Sequence, residues 1–444
     1  MVSSRGIAVD SSSPSLALPD DVIFDILTRL PAKSIIRFRS VCKSWLAILS
    51  SRRFIDAHLH LSKSRPSMLI IPREFTRQWC GWRMANALWM GYYKYNAGDD
   101  DVAEAIHSQH HVPCGDAVRW AKPLHCDGLI LFYTADQIMV CNPATREFLA
   151  LNKGTDDSMG FGRDPCTNRY KLVRPFDEIE EGIDGTTKRI LRFEVLTLGT
   201  NVWRRIVNHP RRLSYRTASV HARGFIYWTA FRENDAPVLA RFSLADETFS
   251  EERYPPFESG GFAHLTKLEG EELCTVFVPE TCEVAQVWIC NGIDGTTDNK
   301  PAWSSRFTVS LPQETITLCP WSRRKPPVFN FHGKDMLMRG GKKMYKYNTE
   351  TGEMKKIDVA VEDLRYYHPE SDSYKEFSHL ESNGYKEFLG NQVVFRIVNY
   401  AESLVPIREG YDSSVKQRVF AVMAGIFNQT CSMLTNGWAA YGRR

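Results

Sequence analysis

The chain has 444 residues, 43% of them hydrophobic and 24% charged, and its 56 Lys and Arg against 52 Asp and Glu leave a net charge of only +4. That apolar content can build a large core, which excludes a disordered or fibrous protein, and so small a charge over so long a chain gives no field of the kind nucleic-acid binding needs. Eleven cysteines, an odd set without a Cys-x-x-Cys pair, argue against a disulfide scaffold or zinc ribbon and for reduced thiols in the cytoplasm or nucleus.

Residues 1–17 read as a Ser-rich flexible leader without the apolar stretch of a secretory signal. From Leu18 the pattern changes. Pro19 and Asp20 suit a helix entry, and Val22, Ile23, Ile26, Leu27 and Leu30 recur at i, i+3, i+4 and i+7 until Pro31 ends the run. Shorter apolar-periodic runs follow in Ile35, Ile36, Phe38 and Val41, then in Trp45, Ile48 and Leu49, and Phe54, Ile55 and Leu59 come next. The expectation is a compact group of three short helices over 18–62. Helices of about ten residues are marginal alone, and so small a unit cannot hide this many large apolar side chains. A partner surface, or the rest of the chain, must cover the surplus. Seven Lys and Arg against four Asp and Glu between Leu18 and His60 give a local +3, which favours an acidic partner and equally fits a solvated helix face.

The run from Leu18 to Trp45, LPDDVIFDILTRLPAKSIIRFRSVCKSW, resembles the F-box motif in its plant-type form nearly position for position. That resemblance implies docking on a Skp-type adaptor, which links the motif to a cullin scaffold and a RING-bearing ubiquitin ligase. By the same resemblance Leu18, Pro19, Ile23, Ile26, Leu27, Leu30, Pro31, Ile35, Phe38, Val41, Cys42 and Trp45 belong to the adaptor interface or its immediate support.

From Pro66 the helical period gives way to short alternating segments bounded by Gly, Pro, Asn and Asp, as strands joined by turns should be. One unit recurs, an apolar strand, a polar turn and a second strand, with turns marked by Pro143, Gly199, Ala245, Asn291 and Asn348. A period of about 40–50 residues with several strands per unit is the mark of a β-propeller blade, and six or seven blades fit residues 66–410, six being the better fit. A pair of β-sandwiches would explain the alternation but not the recurring unit. The segment 411–444 reads as an extension packed on the propeller. Its longest nearly apolar stretch, Val419–Phe427, falls short of the roughly 20 residues a membrane helix needs, so neither end is expected at a membrane.

This part also looks like the plant F-box-associated domain, kelch-like in character. The landmarks are Cys126–Ile130, Asn142–Thr145, Phe161–Pro165, Thr167–Val173, Trp203-Arg204, Gly224–Trp228 and Tyr400–Val405, in that family's order. Phe75–Val118, with Trp79, Trp82 and Trp89, fits the pattern poorly.

Other features have plain readings. The hexapeptide GIDGTT occurs at 182–187 and 292–297, and Asp-Gly suits equivalent tight turns. His107, His110, His111 and Cys114 could share a helix face as metal ligands, but without a second ligand pair they read as a solvated loop. Cys274, Cys282 and Cys290 read as packing in strands. Arg204-Arg205, Arg211-Arg212 with Arg216, and Arg323-Arg324-Lys325 could line a recognition surface or be scattered surface charge. No P-loop, nucleophile elbow, His-Glu-x-x-His or dinucleotide fingerprint is present, so no catalytic residue, metal or cofactor is expected. The expectation is a substrate receptor of a cullin-RING ubiquitin ligase. The alternative is an F-box interaction protein without ubiquitin transfer.

Overall fold

The structure, a computed structural model, describes residues 19–65, 67–73, 76–80, 83–95, 102–114, 123–133, 138–151, 158–181, 187–200, 202–207, 219–232, 236–257, 260–268, 271–291, 302–319, 322–325, 327–340, 343–357, 360–361, 364–368, 373–377 and 394–407. Four helices come first: α1 (Asp20–Thr28), α2 (Ala32–Phe38), α3 (Lys43–Leu49) and α4 (Arg52–Lys63). One more helix is present than the apolar runs imply. Ser51 starts it by accepting the Phe54 N–H at its hydroxyl, and Phe54, Ile55, His58 and Leu59, at i, i+1, i+4 and i+5, give it a buried face.

Among the described residues eight sheets follow, six of them blades, antiparallel but for one short edge pairing, and two of only two strands each. Blade 1 comprises Leu124–Cys126, Leu129–Tyr133, Ile138–Asn142 and Glu147–Leu151. Blade 2 comprises Gly160–Arg163, Tyr170–Glu181, Thr187–Thr197 and Trp203–Ile206. Blade 3 comprises Val220–Ala222, Phe225–Phe231, Pro237–Ser243 and Phe249–Glu252. Blade 4 comprises Gly261–Lys267, Leu273–Pro279, Val284–Asn291 and Ala302–Ser310. Blade 5 comprises Val328–His332, Asp335–Gly340, Lys343–Asn348 and Met354–Ile357.

Blade 6 is composite. Its axial strand, Val394–Tyr400, comes from the end of the described chain and pairs antiparallel with Ser67–Arg73 from Ser67↔Tyr400 to Arg73↔Val394. Arg83–Tyr95 and Val102–Cys114 continue it outward, and Ala360–Val361 lies parallel to Val102–Cys114 at its edge. The first strands of blades 1 to 5 adjoin one another in order, and Val394–Tyr400 touches the axial strands of blades 5 and 1. The six inner strands therefore form a closed ring, which decides for six blades and against paired sandwiches.

Each sheet is covered on both faces by its neighbours. Phe193 of blade 2 packs with Trp228 and Phe242 of blade 3, and Val276 of blade 4 with Phe329 and Met336 of blade 5. Double coverage explains why Leu129–Tyr133 and Ile138–Asn142 are buried at every position instead of at alternate ones.

Several expectations change. The His107 to Cys114 segment is not a loop but part of the outer strand Val102–Cys114, and Phe75–Val118 supplies blade 6. Arg323-Arg324-Lys325 also lies in a strand, Ser322–Lys325, paired with Thr317–Cys319. Apart from Thr187, the two GIDGTT copies lie outside the described residues; in the sequence the first falls between the second and third strands of blade 2, the other between the third and fourth of blade 4. Cys274, Cys282 and Cys290 are all buried, but Cys282 sits in the turn between strands at φ +56°. Leu18, residues 1–17 and 411–444, Trp82 and the Arg211, Arg212 and Arg216 cluster lie outside the described residues.

Candidate functional site

The four helices sit on blades 1 and 2. Leu27, Ile35, Leu49, Phe54 and Leu59 share one apolar cluster with Leu129, Leu131, Leu172 and Leu404, so the propeller supplies the cover that so small a helical unit lacks. Polar contacts key the same junction. Asp127, its side chain only 3% exposed, receives Lys63 Nζ at 2.5 Å, Arg163 Nη1 at 3.5 Å and the Tyr170 hydroxyl at 3.0 Å. Burial is the largest influence on the Lys63 pKa and lowers it, but the Asp127 charge and hydrogen bond, with Cys126 and Glu271, together outweigh it and the net shift is upward. Arg163 also reaches Asp56 at 3.3 Å. Asp127 and Gly128 both have positive φ, the demand of a tight hairpin turn, and a Cβ at Gly128 would stand 2.4 Å from the Ala401 carbonyl.

The residues after the closing strand complete the junction. α2 begins at Pro31, which has no side chain able to cap it; Glu402 Oε2 instead accepts the Ala32 N–H at 3.0 Å, while Oε1 meets Lys94 Nζ at 3.2 Å. Asn142 Nδ2 donates to the carbonyls of Ser403 and Val405, and Glu147 accepts the Ile407 N–H at 2.7 Å.

The opposite side of the helices stays uncovered. On α1 the i, i+4 pair Ile23 and Leu27 turns inward, half-buried and buried, whereas the pair Val22 and Ile26 is 42% and 49% exposed. Val41 is 61% and Leu46 48% exposed. These four are a majority of the seven large hydrophobic residues exposed among the described ones, concentrated in α1 and the α2–α3 corner. Phe38 and Trp45, both half-buried, meet edge to face at 5.5 Å between that corner and the core. Exposed Cys42 caps α3, its sulfur accepting the Trp45 N–H at 3.5 Å; the Ser44 hydrogen bond helps pull its thiol pKa below the ordinary value. Arg29, Lys33, Arg37 and Lys43 make no ion pair with any described residue.

The residues expected at an adaptor interface thus divide. Pro19, Ile26, Pro31, Val41 and Cys42 are exposed; Ile23, Leu30, Phe38 and Trp45 are half-buried; Leu27 and Ile35 are buried against the propeller. Val22 and Leu46 were missing from the expected set. The spacing of Val22 to Ile26, four residues along one helix, was the available signal for the first. Of the basic clusters, Arg204 is held by Glu247 in a turn of blade 3 and Arg205 by Glu178 on the second strand of its own blade, so both already have partners.

The sequence model of the F-box associated beta propeller domain matches residues 90–407, and that of the F-box domain matches residues 15–56. The chain belongs to the F-box-associated β-propeller family. An F-box/LRR-repeat protein of Arabidopsis thaliana is 25% identical over 78% of this chain and 81% of its own length. An F-box/kelch-repeat protein of that plant is 22% identical over 80% and 82%, and a putative F-box/kelch-repeat protein 26% identical over 88% and 96%. Among solved structures, TolB from Acinetobacter baumannii is similar over 65% of this chain and 62% of its own, at 11% identity and a TM-score of 0.37. The F-box and propeller pairing is that of a substrate-recognition protein, and an F-box in general binds a Skp-type adaptor.

Proposed function

We propose that this F-box-associated propeller protein is the non-catalytic receptor subunit of a Skp-cullin-F-box ubiquitin ligase in the cytoplasm or nucleus. The observation that carries the reading is the uncovered apolar set Val22, Ile26, Val41 and Leu46, on a helical unit whose other side is keyed to the propeller by Asp127 and Glu402. The exposed Arg29, Lys33, Arg37 and Lys43 on the same helical unit, without an ion pair among the described residues, suit an acidic adaptor. Adaptor bound on one side and propeller on the other would hold a protein target near a ubiquitin-conjugating enzyme, and proximity, not chemistry by this chain, would raise the rate of transfer to a target lysine.

The test is capture of a purified Skp-type adaptor by the full chain and by an Ile26→Asp, Leu46→Asp double variant. The reading expects at least a tenfold loss of affinity with an unchanged melting temperature, because neither side chain is part of the core. Undiminished capture overturns it. Capture without ubiquitin transfer, in a reconstituted complex with a verified target, would instead favour the F-box interaction protein.

A further inference from the structure

The six axial strands enclose a small cavity to which His125, Ser219, His221, Lys267, Asn330 and Asn399 contribute the polar lining, and no carboxylate is among its lining residues. His221 is only 8% exposed and is held on two sides. Its Nδ1 lies 3.7 Å from Cys126 Sγ, and its ring occupies the space that a side chain at residue 162 would need, since a Cβ at Gly162 would stand 2.3 Å from His221 Cδ2. Burial pushes the Cys126 thiol pKa well up, so the sulfur keeps its proton; with that thiol as the donor to Nδ1, the imidazole proton stands on Nε2, the tautomer we assign. That Nε2 is buried and has no hydrogen-bond partner among the described residues; neither has the buried Oδ1 of Asn399. The Lys267 ammonium supplies the positive charge and pairs loosely with Glu271 at 3.5 Å.

Size narrows the occupant. The cavity holds about 40 Å³, where one enclosed water needs about 10–15 Å³. It takes about three waters or one tetrahedral oxyanion, and not a nucleotide or sugar. Chemistry narrows it further, because an ammonium and an imidazole N–H both donate, whereas Asn399 Oδ1 must be met by a donor. We propose that the propeller axis is a binding site for a free, protonated oxyanion, hydrogen phosphate, with its oxygens on Lys267 and His221 and its hydroxyl on Asn399. Sulfate has the same charge and shape at neutral pH but no proton to give, so the site discriminates between the two.

Thermal unfolding of the full chain at neutral pH, in millimolar phosphate, sulfate or O-phosphoserine at matched ionic strength with chloride as reference, tests this. The expected result is a rise of about 2 °C or more with phosphate, and none with sulfate or with phosphoserine, whose ester the cavity has no room for. His221→Phe, which keeps the ring, should abolish the rise. Asn399→Leu, on the blade 6 strand Val394–Tyr400 and outside the Cys126 contact, should remove the preference for phosphate over sulfate even if the His221 variant folds poorly. No shift with any anion means the axis holds water alone and overturns the proposal. An equal shift with sulfate overturns the role of Asn399, and an equal shift with phosphoserine overturns the restriction to a free ion.

Discussion

Glu402 accepts a hydrogen bond from the backbone N–H of Ala32 across 370 positions of sequence. A charged acceptor on a first-turn amide contributes about 1.5–3 kcal/mol when partly buried, and helix α2 has no side-chain cap of its own. Glu402→Ala should therefore destabilise the helical unit by about 1–2 kcal/mol, and Glu402→Gln, which keeps an acceptor oxygen, by less. Amide exchange at Ala32 and in the rest of α2 is the measurement, with acceleration expected there and not in blades 3 to 5.

Neighbouring residues on α1 should respond in opposite ways. Leu27→Ala empties a buried site and should cost about 2–4 kcal/mol of stability, whereas Ile26→Ala at a half-exposed site should cost less than about 1 kcal/mol. Urea unfolding separates the two. Adaptor affinity, normalised to folded protein, should fall for Ile26→Ala more than for Leu27→Ala.

Gly162 leaves the space that the His221 ring fills, and Leu244 Cδ1 is also within 2.7 Å of where a Cβ would be. Gly162→Ala should destabilise the propeller by about 1–3 kcal/mol through overpacking. A compensating Leu244→Ala cannot relieve it, because the closer contact is with the imidazole. Thermal unfolding of the single and double variants decides the point.

Burial, then the Lys267 charge, lowers the His221 pKa to about 4, while the carboxylates of Glu271 and Asp127 pull it the other way and Lys63 adds to the lowering. An unfolded histidine titrates near 6.5, so between these values the unfolded state binds the extra proton. His221 therefore contributes stability that is complete above about pH 6.5 and is lost as pH falls toward 4. The denaturation midpoint should decline across that window, and His221→Gln should flatten the decline. An unaltered slope in the variant would contradict the assignment.

Much of this architecture could be read in the chain. The helical unit was legible because Leu18 to Trp45 combines helical spacing with prolines at its breaks, and the blades because Pro143, Gly199 and Ala245 fall between third and fourth strands and Asn291 and Asn348 end third strands. The matching connection in blade 6, between the strands ending at Tyr95 and starting at Val102, was not legible because that blade's axial strand is not its neighbour in sequence. Which apolar residues face outward was not legible either. Val22 with Ile26 and Ile23 with Leu27 have the same spacing, and only the propeller surface under α1 distinguishes them. Glu402 lay inside the Tyr400–Val405 landmark, but nothing marked it as a cap, since a helix cap 370 residues away follows no local pattern.

The composite blade also governs when the protein can be made whole. Ser67–Arg73 bears the consecutive buried residues Met68, Leu69, Ile70 and Ile71 and pairs on one side with Val394–Tyr400. On the ribosome the chain from Cys114 to Val394, about 280 residues, takes roughly 15–60 s at about 5–20 residues per second. Throughout that interval an apolar strand edge waits without its partner, and α2 waits without Glu402. Translation thus imposes a delay in which the nascent amino-terminal quarter carries an unpaired, aggregation-prone strand edge, and a stop codon anywhere before Val394 would leave both the ring and the helical junction unfinished.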